Sequence, residues 1–365
     1  MMSELSSFDD YPVHQSPELI ANAAISDRNF YDRYYFNMYP ESRELFAIFG
    51  LGQYPNLGTT DAFIDVRYGD NQHIVRSSKP LVDRGDLSVG PFRIEVLEPL
   101  KRLRVIVEPT EHSVSMDVTF EGNIEAMLEP RQTLRLKGKL VFDTNRLAQT
   151  GNWTGTLNVG GTDFTIDGSG NRDRSWGIRP VGEPEPAGIR EGMLVLPGMW
   201  NYFPMQFEDH TIFYICHEDD DGHRHLIQGD RVWHDPNREI EDLGHVEWEH
   251  DIEPGTRIVR SSVLRFPRAG IEIDCVSVLP NFVSIGTGYG IDADWRHGMY
   301  QGPETVTQGL VLNVDEVKGI AQYGIIDHLA EFRYDGHVGH GLLEQGFFGP
   351  FRAAGMMDGL SGAGA

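Results

Sequence analysis

Alternation of apolar and polar residues with a period of two is the feature that most constrains this chain. In residues 114–120, apolar Val, Met, Val and Phe alternate with polar Ser, Asp and Thr, and residues 92–96 and 133–142 repeat the pattern. Strands of antiparallel sheets with one face in water have this pattern. Gly160 and Gly161 lie between two such runs and fit a two-residue hairpin turn, which requires positive φ. Many short strands with Gly, Asp and Asn turns predict a sandwich or barrel rather than a parallel sheet.

Few segments predict a helix, and one segment predicts a domain boundary. Residues 16–19, Ser-Pro-Glu-Leu, have the composition of a helix start, and this short helix would end before Asp27. Residues 181–188 are rich in Pro, Gly and Glu and have no period, which is typical of a linker. Two all-β halves fit two antiparallel barrels or open barrels of about eight to ten strands. We therefore predict an N-terminal arm with a short helix over 1–30, a first β domain over 31–182 and a second β domain over 183–365.

The charge balance and the cysteine count restrict partners and location. Asp and Glu number 55 against 31 Lys and Arg, a formal net charge of −24. Nucleic acids and anionic membranes attract basic surfaces, so neither a nucleic acid nor an anionic membrane surface is an expected partner. No apolar run reaches about 18 residues, so no transmembrane segment is predicted; peripheral contact of apolar loops with a membrane stays open. Cys216 and Cys275 are the only cysteines, which suits a reducing cytoplasm. The oligomeric state is left open, with a homodimer as one alternative.

Residues 168–180 place one acid between two permanent cations and close to an indole. Because Arg is always protonated, Asp173 between Arg172 and Arg174 is normally held ionised unless burial opposes this. If the alternation of the preceding strand continues, the two arginines and Trp176 face the core and Asp173 faces the other way. A bulge at the glycines would exchange the two faces. The segment is interpreted either as a buried Arg–Asp ion pair that joins the domains or as the polar floor of a pocket.

Residues 170–177, Gly-Asn-Arg-Asp-Arg-Ser-Trp-Gly, resemble the central signature of the AttH-type proteins. These are two-domain, lipocalin-like relatives of the carotenoid hydratases of the hydroxyneurosporene synthase type, in a superfamily with fungal lipocalin-like Diels–Alderases and kievitone-hydratase-like proteins. The resemblance implies two consecutive lipocalin-like (calycin-type) antiparallel β-barrels or open barrels with few helices, and chemistry on hydrophobic small molecules without a cofactor. Four other stretches resemble the same family, namely residues 34–39, 54–56, 90–96 and 339–344.

Three side chains are candidates for catalysis. Asp173 would act as the pocket acid, and the hydroxyl group of Tyr202 would act as a donor, although Tyr202 also fits an ordinary aromatic core. His328 lies on an apolar strand face and is either a satisfied core histidine or a base close to neutral pH. The resemblance favours Tyr35 and Asn37 as pocket residues, with strand packing as the alternative. The full set of candidate substrate-binding residues is Arg172, Arg174, Trp176, Trp200, Tyr35, Asn37 and Glu344.

The absence of several motifs narrows the function. The sequence has no glycine-rich dinucleotide fingerprint and no Gly-x-Ser-x-Gly elbow. His217, His223 and His225 match no standard metal-ligand spacing, so neither a cofactor nor a metal is expected. We expect a cofactor-independent acid–base enzyme of the lyase or hydratase type that acts on a terpenoid, steroid or aromatic compound. The alternatives are a non-catalytic carrier of hydrophobic ligands, a Diels–Alderase-like scaffold that guides cyclisation, and a retro-aldol lyase that releases an aldehyde from an aromatic substrate.

Overall fold

A computed structural model describes residues 5–186, 188 and 196–363 of the chain. The N-terminal half forms antiparallel strands and two short 3₁₀ turns, at Ser7–Asp10 and Pro55–Leu57. These strands are β1 (Phe30–Pro40), β2 (Leu45–Tyr54), β3 (Thr59–Tyr68), β4 (Asn71–Pro80), β5 (Ser88–Val89), β6 (Phe92–Glu98), β7 (Arg102–Val107), β8 (Val114–Gly122), β9 (Met127–Leu128), β10 (Gln132–Leu136), β11 (Lys139–Val159) and β12 (Thr162–Ile178).

The C-terminal half is also built of antiparallel strands, with one α-helix and one 3₁₀ turn at Arg352–Ala354 among its described residues. The elements are β13 (Gly198–Gln206), β14 (His210–Glu218), β15 (Arg224–Trp233), β16 (Glu241–Asp242), β17 (Glu247–Ile252), β18 (Val259–Phe266), β19 (Ile271–Asn281), β20 (Val306–Asn313), α1 (Val314–Ala321), β21 (Ile326–Tyr334) and β22 (His337–Phe348). The predicted all-β class with few helices is confirmed.

The long β11–β12 hairpin forms the centre of the first sheet. Its pairing runs from Asp143–Ile178 to Val159–Thr162 without a shift of register. Gly160 and Gly161 form its turn with φ values of 58° and 84°, so the predicted two-residue hairpin is confirmed. The strand order is β20-β4-β3-β2-β1-β12-β11-β8-β7-β6-β5, and β9 and β10 pair with β11.

The second sheet has the order β16-β15-β14-β13-β22-β21-β19-β18-β17. The strand absent from this order, β20, pairs instead with β4 of the first sheet, from Val306–Ser78 to Asn313–Asn71. The C-terminal half therefore returns to the N-terminal half before it completes its own sheet. The boundary at 182/183 stays a prediction; of the predicted linker, Ala187 lies outside the described residues.

Each sheet curls into an open barrel around its own apolar core. Phe36 and Trp153 belong to the first core, and Phe203 and Phe332 belong to the second. A third apolar cluster lies between the barrels and includes Tyr35, Tyr39, Trp200, Tyr202 and Leu329. Buried aromatic side chains of this size contribute on the order of 1.5–3 kcal/mol each. The third cluster therefore holds β1 of one barrel close to β13 of the other, which positions the candidate site.

The helix predicted from residue 16 does not form. Residues 16–27 form bends and turns, and the Ser16 hydroxyl group accepts only the backbone N–H of Glu18, at 3.3 Å. A helix this short is marginal in water without packing on one face. The α-helix that does form follows Asn313, whose side chain accepts the N–H of Asp315. Among the helices of the described part of the chain, none is long and apolar enough to cross a membrane.

Candidate functional site

A cavity of about 390 Å³ lies between the two barrels. β1, β11 and β12 form one wall, β13 and β22 form the other, and residues 284–291 and 323–325 close the sides. A cavity of this size encloses a small organic ligand. Its walls combine aromatic and ionisable side chains, notably Tyr35, Arg146, Asp173, Trp200, Tyr289 and Glu344.

Asp173 reaches the cavity because the alternation of β12 is unbroken. It pairs with Tyr35 of β1 and Ala148 of β11, and no bulge interrupts the register. The glycines of this segment do not form a bulge but allow a close approach of two strands. A Cβ atom on Gly170 would lie 2.1 Å from the carbonyl oxygen of Asn37, so only glycine lets β1 approach β12 this closely. The face predicted from uninterrupted alternation is therefore the one observed.

The carboxyl group of Asp173 makes no hydrogen bond or ion pair with any residue that the structure describes. Burial raises its pKa to about 7; the charge of Arg146 opposes this shift, while the charges of Glu129 and Glu344 add to it. A carboxyl group with a pKa of about 7 exists in both protonation states at neutral pH. Asp173 is therefore able to accept or donate a proton inside the cavity.

Arg146 connects the two barrels beside Asp173. It pairs with Glu129, which is buried. Its guanidinium carbon lies 5.3 Å from the ring centroid of Trp200 and 5.4 Å from that of Tyr202. Cation–π contacts of this kind contribute roughly 0.5–2 kcal/mol. The contacts hold Trp200 in place, and Glu129 neutralises the charge of Arg146.

Two carboxyl groups of the second barrel, Asp327 and Glu344, lie next to each other, and Glu344 lines the cavity. They face each other across the β21–β22 pair, and Asp327 is buried and does not line the cavity. Burial raises the pKa of both groups, and the charge of Glu344 raises that of Asp327 further, which favours a proton on the pair. The Tyr35 hydroxyl donates to Asp327 Oδ2 at 2.6 Å. Trp200 Nε1 donates to Glu344 Oε1, which orients Glu344 as an acceptor.

The hydroxyl group of Tyr202 lies behind the cavity wall. It is buried and has no hydrogen-bond partner among the described side chains and backbone groups. Burial raises the pKa of Tyr202 well above its usual value, and the charges of Glu129 and Asp173 raise it further. Tyr202 therefore keeps its proton. It lies close to Asp173 without lining the cavity.

Arg172, Arg174 and Trp176 lie on the opposite face of β12. Arg174 pairs with Asp32, and Arg172 donates from Nε to Gln149 Oε1 at 2.8 Å inside the first barrel. Trp176 lies at the mouth of the first barrel, beneath the N-terminal segment. The alternative of an Arg–Asp ion pair around the central carboxyl group is wrong, because strand alternation turns both arginines away. None of these three side chains lines the cavity between the barrels.

His328 and Asn37 also lie outside the cavity. His328 faces the interior of the second barrel, where its Nδ1 lies 2.7 Å from Ser277 Oγ. Burial lowers the pKa of His328 to about 3, so its ring is neutral. Asn37 accepts the backbone N–H of Asn171 at 3.1 Å and fastens β1 to β12. The structure therefore brings Tyr35, Asp173, Trp200 and Glu344 together at the cavity and separates the other predicted residues from it.

Sequence reasoning does not select Arg146 or Asp327. The signal for Asp327 is an acid between Ile326 and the pair Leu329 and Ala330 in a strand-like stretch, because buried acids are rare unless they are paired. Arg146 gives no comparable signal. Its contact with Trp200 joins β11 to β13, and only the packing of one barrel on the other creates it.

Comparison with known proteins identifies the family and the fold. The model of the family of unknown function DUF8625 matches residues 5–357. A solved AttH-like protein of Nitrosomonas europaea is similar over 90% of this chain and 98% of its own, with a TM-score of 0.56 and 10% sequence identity. No curated protein matches the sequence.

Two further solved structures are similar to a lesser degree. Kievitone hydratase of Nectria haematococca has a TM-score of 0.49 at 13% identity, over 95% of this chain and 96% of its own. CghA with Sch210972 has a TM-score of 0.48 at 10% identity, over 88% of this chain and 89% of its own. At these identities structural similarity establishes a fold and not an activity. The chain belongs to the family of unknown function DUF8625, and its fold is the AttH-type, lipocalin-like arrangement of two consecutive open β-barrels.

Proposed function

We propose that this protein is a cofactor-independent acid–base enzyme of the lyase or hydratase type, whose substrate binds in the cavity between the barrels. The observation that carries the proposal is the Asp173 carboxyl group, which lines the cavity and has no partner in the described part of the chain. Carboxyl groups with a structural role are held by hydrogen bonds or ion pairs. A pKa of about 7 suits proton transfer at neutral pH.

The walls of the cavity favour a hydrophobic substrate with a ring or isoprenoid skeleton. Tyr35, Trp200, Tyr289 and Phe348 all line it, and aromatic side chains bind such skeletons through large apolar faces. A cytoplasmic location is part of the same proposal; both cysteine thiols are unpaired and buried.

The charges around the cavity favour a reaction in which negative charge develops on the substrate. Arg33 and Arg179 line it without a carboxylate partner among the described residues, and guanidinium groups repel a carbocation but stabilise an enolate or oxyanion. Elimination of water from a β-hydroxy carbonyl compound has this character, and so does a retro-aldol cleavage. Protonation of an isolated alkene, which creates a cation, fits the cavity less well.

In the proposed elimination, the Asp173 carboxylate removes a proton from the carbon next to the carbonyl group. The electron pair forms the new double bond, and the bond to the hydroxyl group breaks. Glu344 in its protonated form supplies the second proton that the leaving hydroxyl needs to depart as water, because it is the member of the Asp327–Glu344 pair that lines the cavity. Hydration follows the same steps in reverse.

The test compares the wild type with Asp173→Asn in deuterium oxide. A panel of hydrophobic β-hydroxy carbonyl compounds is incubated with each protein, and deuterium on carbon and loss of water are followed by mass spectrometry. Ser175→Ala is the matched control, because Ser175 lies on the same face of β12 and also lines the cavity. We expect Asp173→Asn to lower the rate by about 10²–10⁴-fold and Ser175→Ala to retain it. Compounds that bind the wild type without exchange or turnover would identify a carrier, and equal rates in Asp173→Asn and the wild type would remove Asp173 from the chemistry.

A further inference from the structure

Two arginines enclose one aromatic ring at the side of the cavity. The guanidinium carbon of Arg33 lies 5.1 Å from the ring centroid of Tyr289, and that of Arg179 lies 5.8 Å from the same centroid. Arg33 is buried, with 3% of its surface exposed, and both arginines line the cavity. Arg179 also lines an adjoining cavity of about 400 Å³, so this pair of cations stands where the two spaces meet.

Arg33 has donor groups that the protein leaves unused. Its Nε is buried and has no partner among the described residues. One of its terminal nitrogens lies 3.5 Å from Nε2 of His297. That same Nε2 lies 3.0 Å from the carbonyl oxygen of Thr287. Because a carbonyl oxygen only accepts, Nε2 carries a hydrogen and cannot accept a second one from Arg33.

Neither arginine has a carboxylate partner within the part of the chain that the structure describes. The closest buried acid in this network is Asp61, whose two oxygens accept from the Tyr54 hydroxyl at 3.1 Å and from the Gly298 N–H at 2.6 Å. Asp61 makes no ion pair with Arg33 or Arg179. A buried cation without a counter-ion is costly, and the cost is removed when a ligand brings the missing negative charge.

We propose that Arg33 and Arg179 form a subsite for the carboxylate group of a hydrophobic organic acid. The planar fork of a guanidinium group matches the two oxygens of a carboxylate. Because Asp173 and Glu344 line the same cavity, a single negative charge is accommodated better than the double charge of a phosphate. The apolar part of the acid would extend along Tyr289 toward Trp200.

The register places this subsite next to the proposed proton-transfer group. Arg33 pairs with Ser175, and two residues further along β1 Tyr35 pairs with Asp173. Diagonal neighbours of this kind have Cα atoms about 7–8 Å apart, so one small molecule spans both. Only the description of the acid as a substrate rests on the proposed function; the binding of a carboxylate does not.

The experiment measures the affinity of two matched probes by isothermal titration calorimetry at pH 7 and fixed ionic strength. The probes are trans-cinnamate and its uncharged amide, cinnamamide. The proteins are the wild type, Arg33→Met, Arg179→Met and the control Arg260→Met, which removes an exposed guanidinium that pairs with Asp251. Asp173→Asn is included to separate binding from catalysis, and thermal unfolding shows which variants are folded.

We expect the wild type and Arg260→Met to bind cinnamate at least about tenfold more tightly than cinnamamide, because charge-assisted hydrogen bonds are the strong ones. Arg33→Met and Arg179→Met should each lose most of this preference while keeping their affinity for the amide. Should Arg33→Met fail to fold, Arg179→Met decides, because Arg179 is partly exposed and follows the end of β12. Equal affinities for the two probes in the wild type, binding of neither probe at millimolar concentration, or an unchanged preference in Arg179→Met would overturn the proposal. Asp173→Asn should keep the preference, so a failed proton-transfer role and a failed carboxylate subsite give different results.

Discussion

Tyr35 in the first barrel donates a 2.6 Å hydrogen bond to Asp327 in the second. Both side chains belong to faces that turn toward the other barrel, and Asp327 lies opposite Glu344 in the β21–β22 pair. One phenol therefore connects the wall of the first barrel to the Asp327–Glu344 pair of the second.

Replacement of Tyr35 by phenylalanine should destabilise the protein by about 1–3 kcal/mol, because it leaves a buried carboxyl oxygen without its donor. Urea unfolding measures the change. Tyr39→Phe is the matched control: Tyr39 is buried on the same face of β1, and its hydroxyl group makes no hydrogen bond to a described residue. The control should change the free energy of unfolding by less than about 0.5 kcal/mol. Similar losses in both variants would show that the bond between the barrels contributes nothing specific.

Stability should depend on pH through Asp173. A carboxyl group whose pKa is raised by folding binds its proton more tightly in the folded state. Its contribution is present below the unfolded pKa, near 4, and is lost as the pH rises through the folded value, about 7. The free energy of unfolding should therefore fall between about pH 4 and about pH 7, and fall less in Asp173→Asn.

In Asp173→Asn the free energy of unfolding should still fall as the pH rises, although by less than in the wild type. Burial also raises the pKa of Asp65 to about 7, although Gln72 donates to it at 2.8 Å. Chemical denaturation at several pH values measures both slopes. Parallel curves for the wild type and Asp173→Asn would mean that the carboxyl group of Asp173 has no raised pKa.

Substitutions of Trp200 and Trp176, the two tryptophans proposed from the sequence, should change ligand affinity to different extents. Trp200→Phe removes the donor to Glu344 and replaces the indole beneath Arg146 with a smaller phenyl ring, so the affinity for an uncharged aromatic probe such as 2-naphthol should fall by about tenfold. Trp176→Phe, on the far face of β12, should change it by less than about twofold. Calorimetric titration decides, and an equal loss in both variants would place the ligand elsewhere.

The pH dependence of turnover should indicate the direction of proton transfer. If Asp173 acts as a base, kcat/KM rises with pH to a plateau above about 7; if it acts as an acid, kcat/KM falls over the same range. Initial rates on the first compound that is turned over provide the profile. A profile that is flat between pH 5 and pH 9 contradicts both roles.

Strand alternation predicts the all-β fold and the strand face on which Asp173 lies. It places Asp173 on the face opposite Arg172 and Arg174, and glycine at 160 and 161 defines the hairpin. It does not say that this face meets a second barrel. That information lies in contacts between distant strands, such as Tyr35 with Asp327, which no local pattern encodes.

Other predictions fail for local reasons. Residues 16–27 have a helix start but too little apolar surface on one side to hold a helix, so they lie as turns across the mouth of the first barrel. His328 faces the interior of the second barrel, and its neighbour Asp327 faces the first barrel, where it accepts from Tyr35. The histidine is the more familiar catalytic residue, yet alternation directs the aspartate, and not the histidine, toward Tyr35 of the first barrel.

The central claim is that Asp173 is an unpaired carboxyl group with a pKa of about 7 in the cavity between the barrels. The most direct measurement is a titration of carboxyl carbon shifts by NMR in protein labelled with ¹³C at the aspartate side chains, with Asp173→Asn to assign the signal. We predict a midpoint of about 7. A midpoint near 4, the value of a solvated or ion-paired aspartate, would contradict the account.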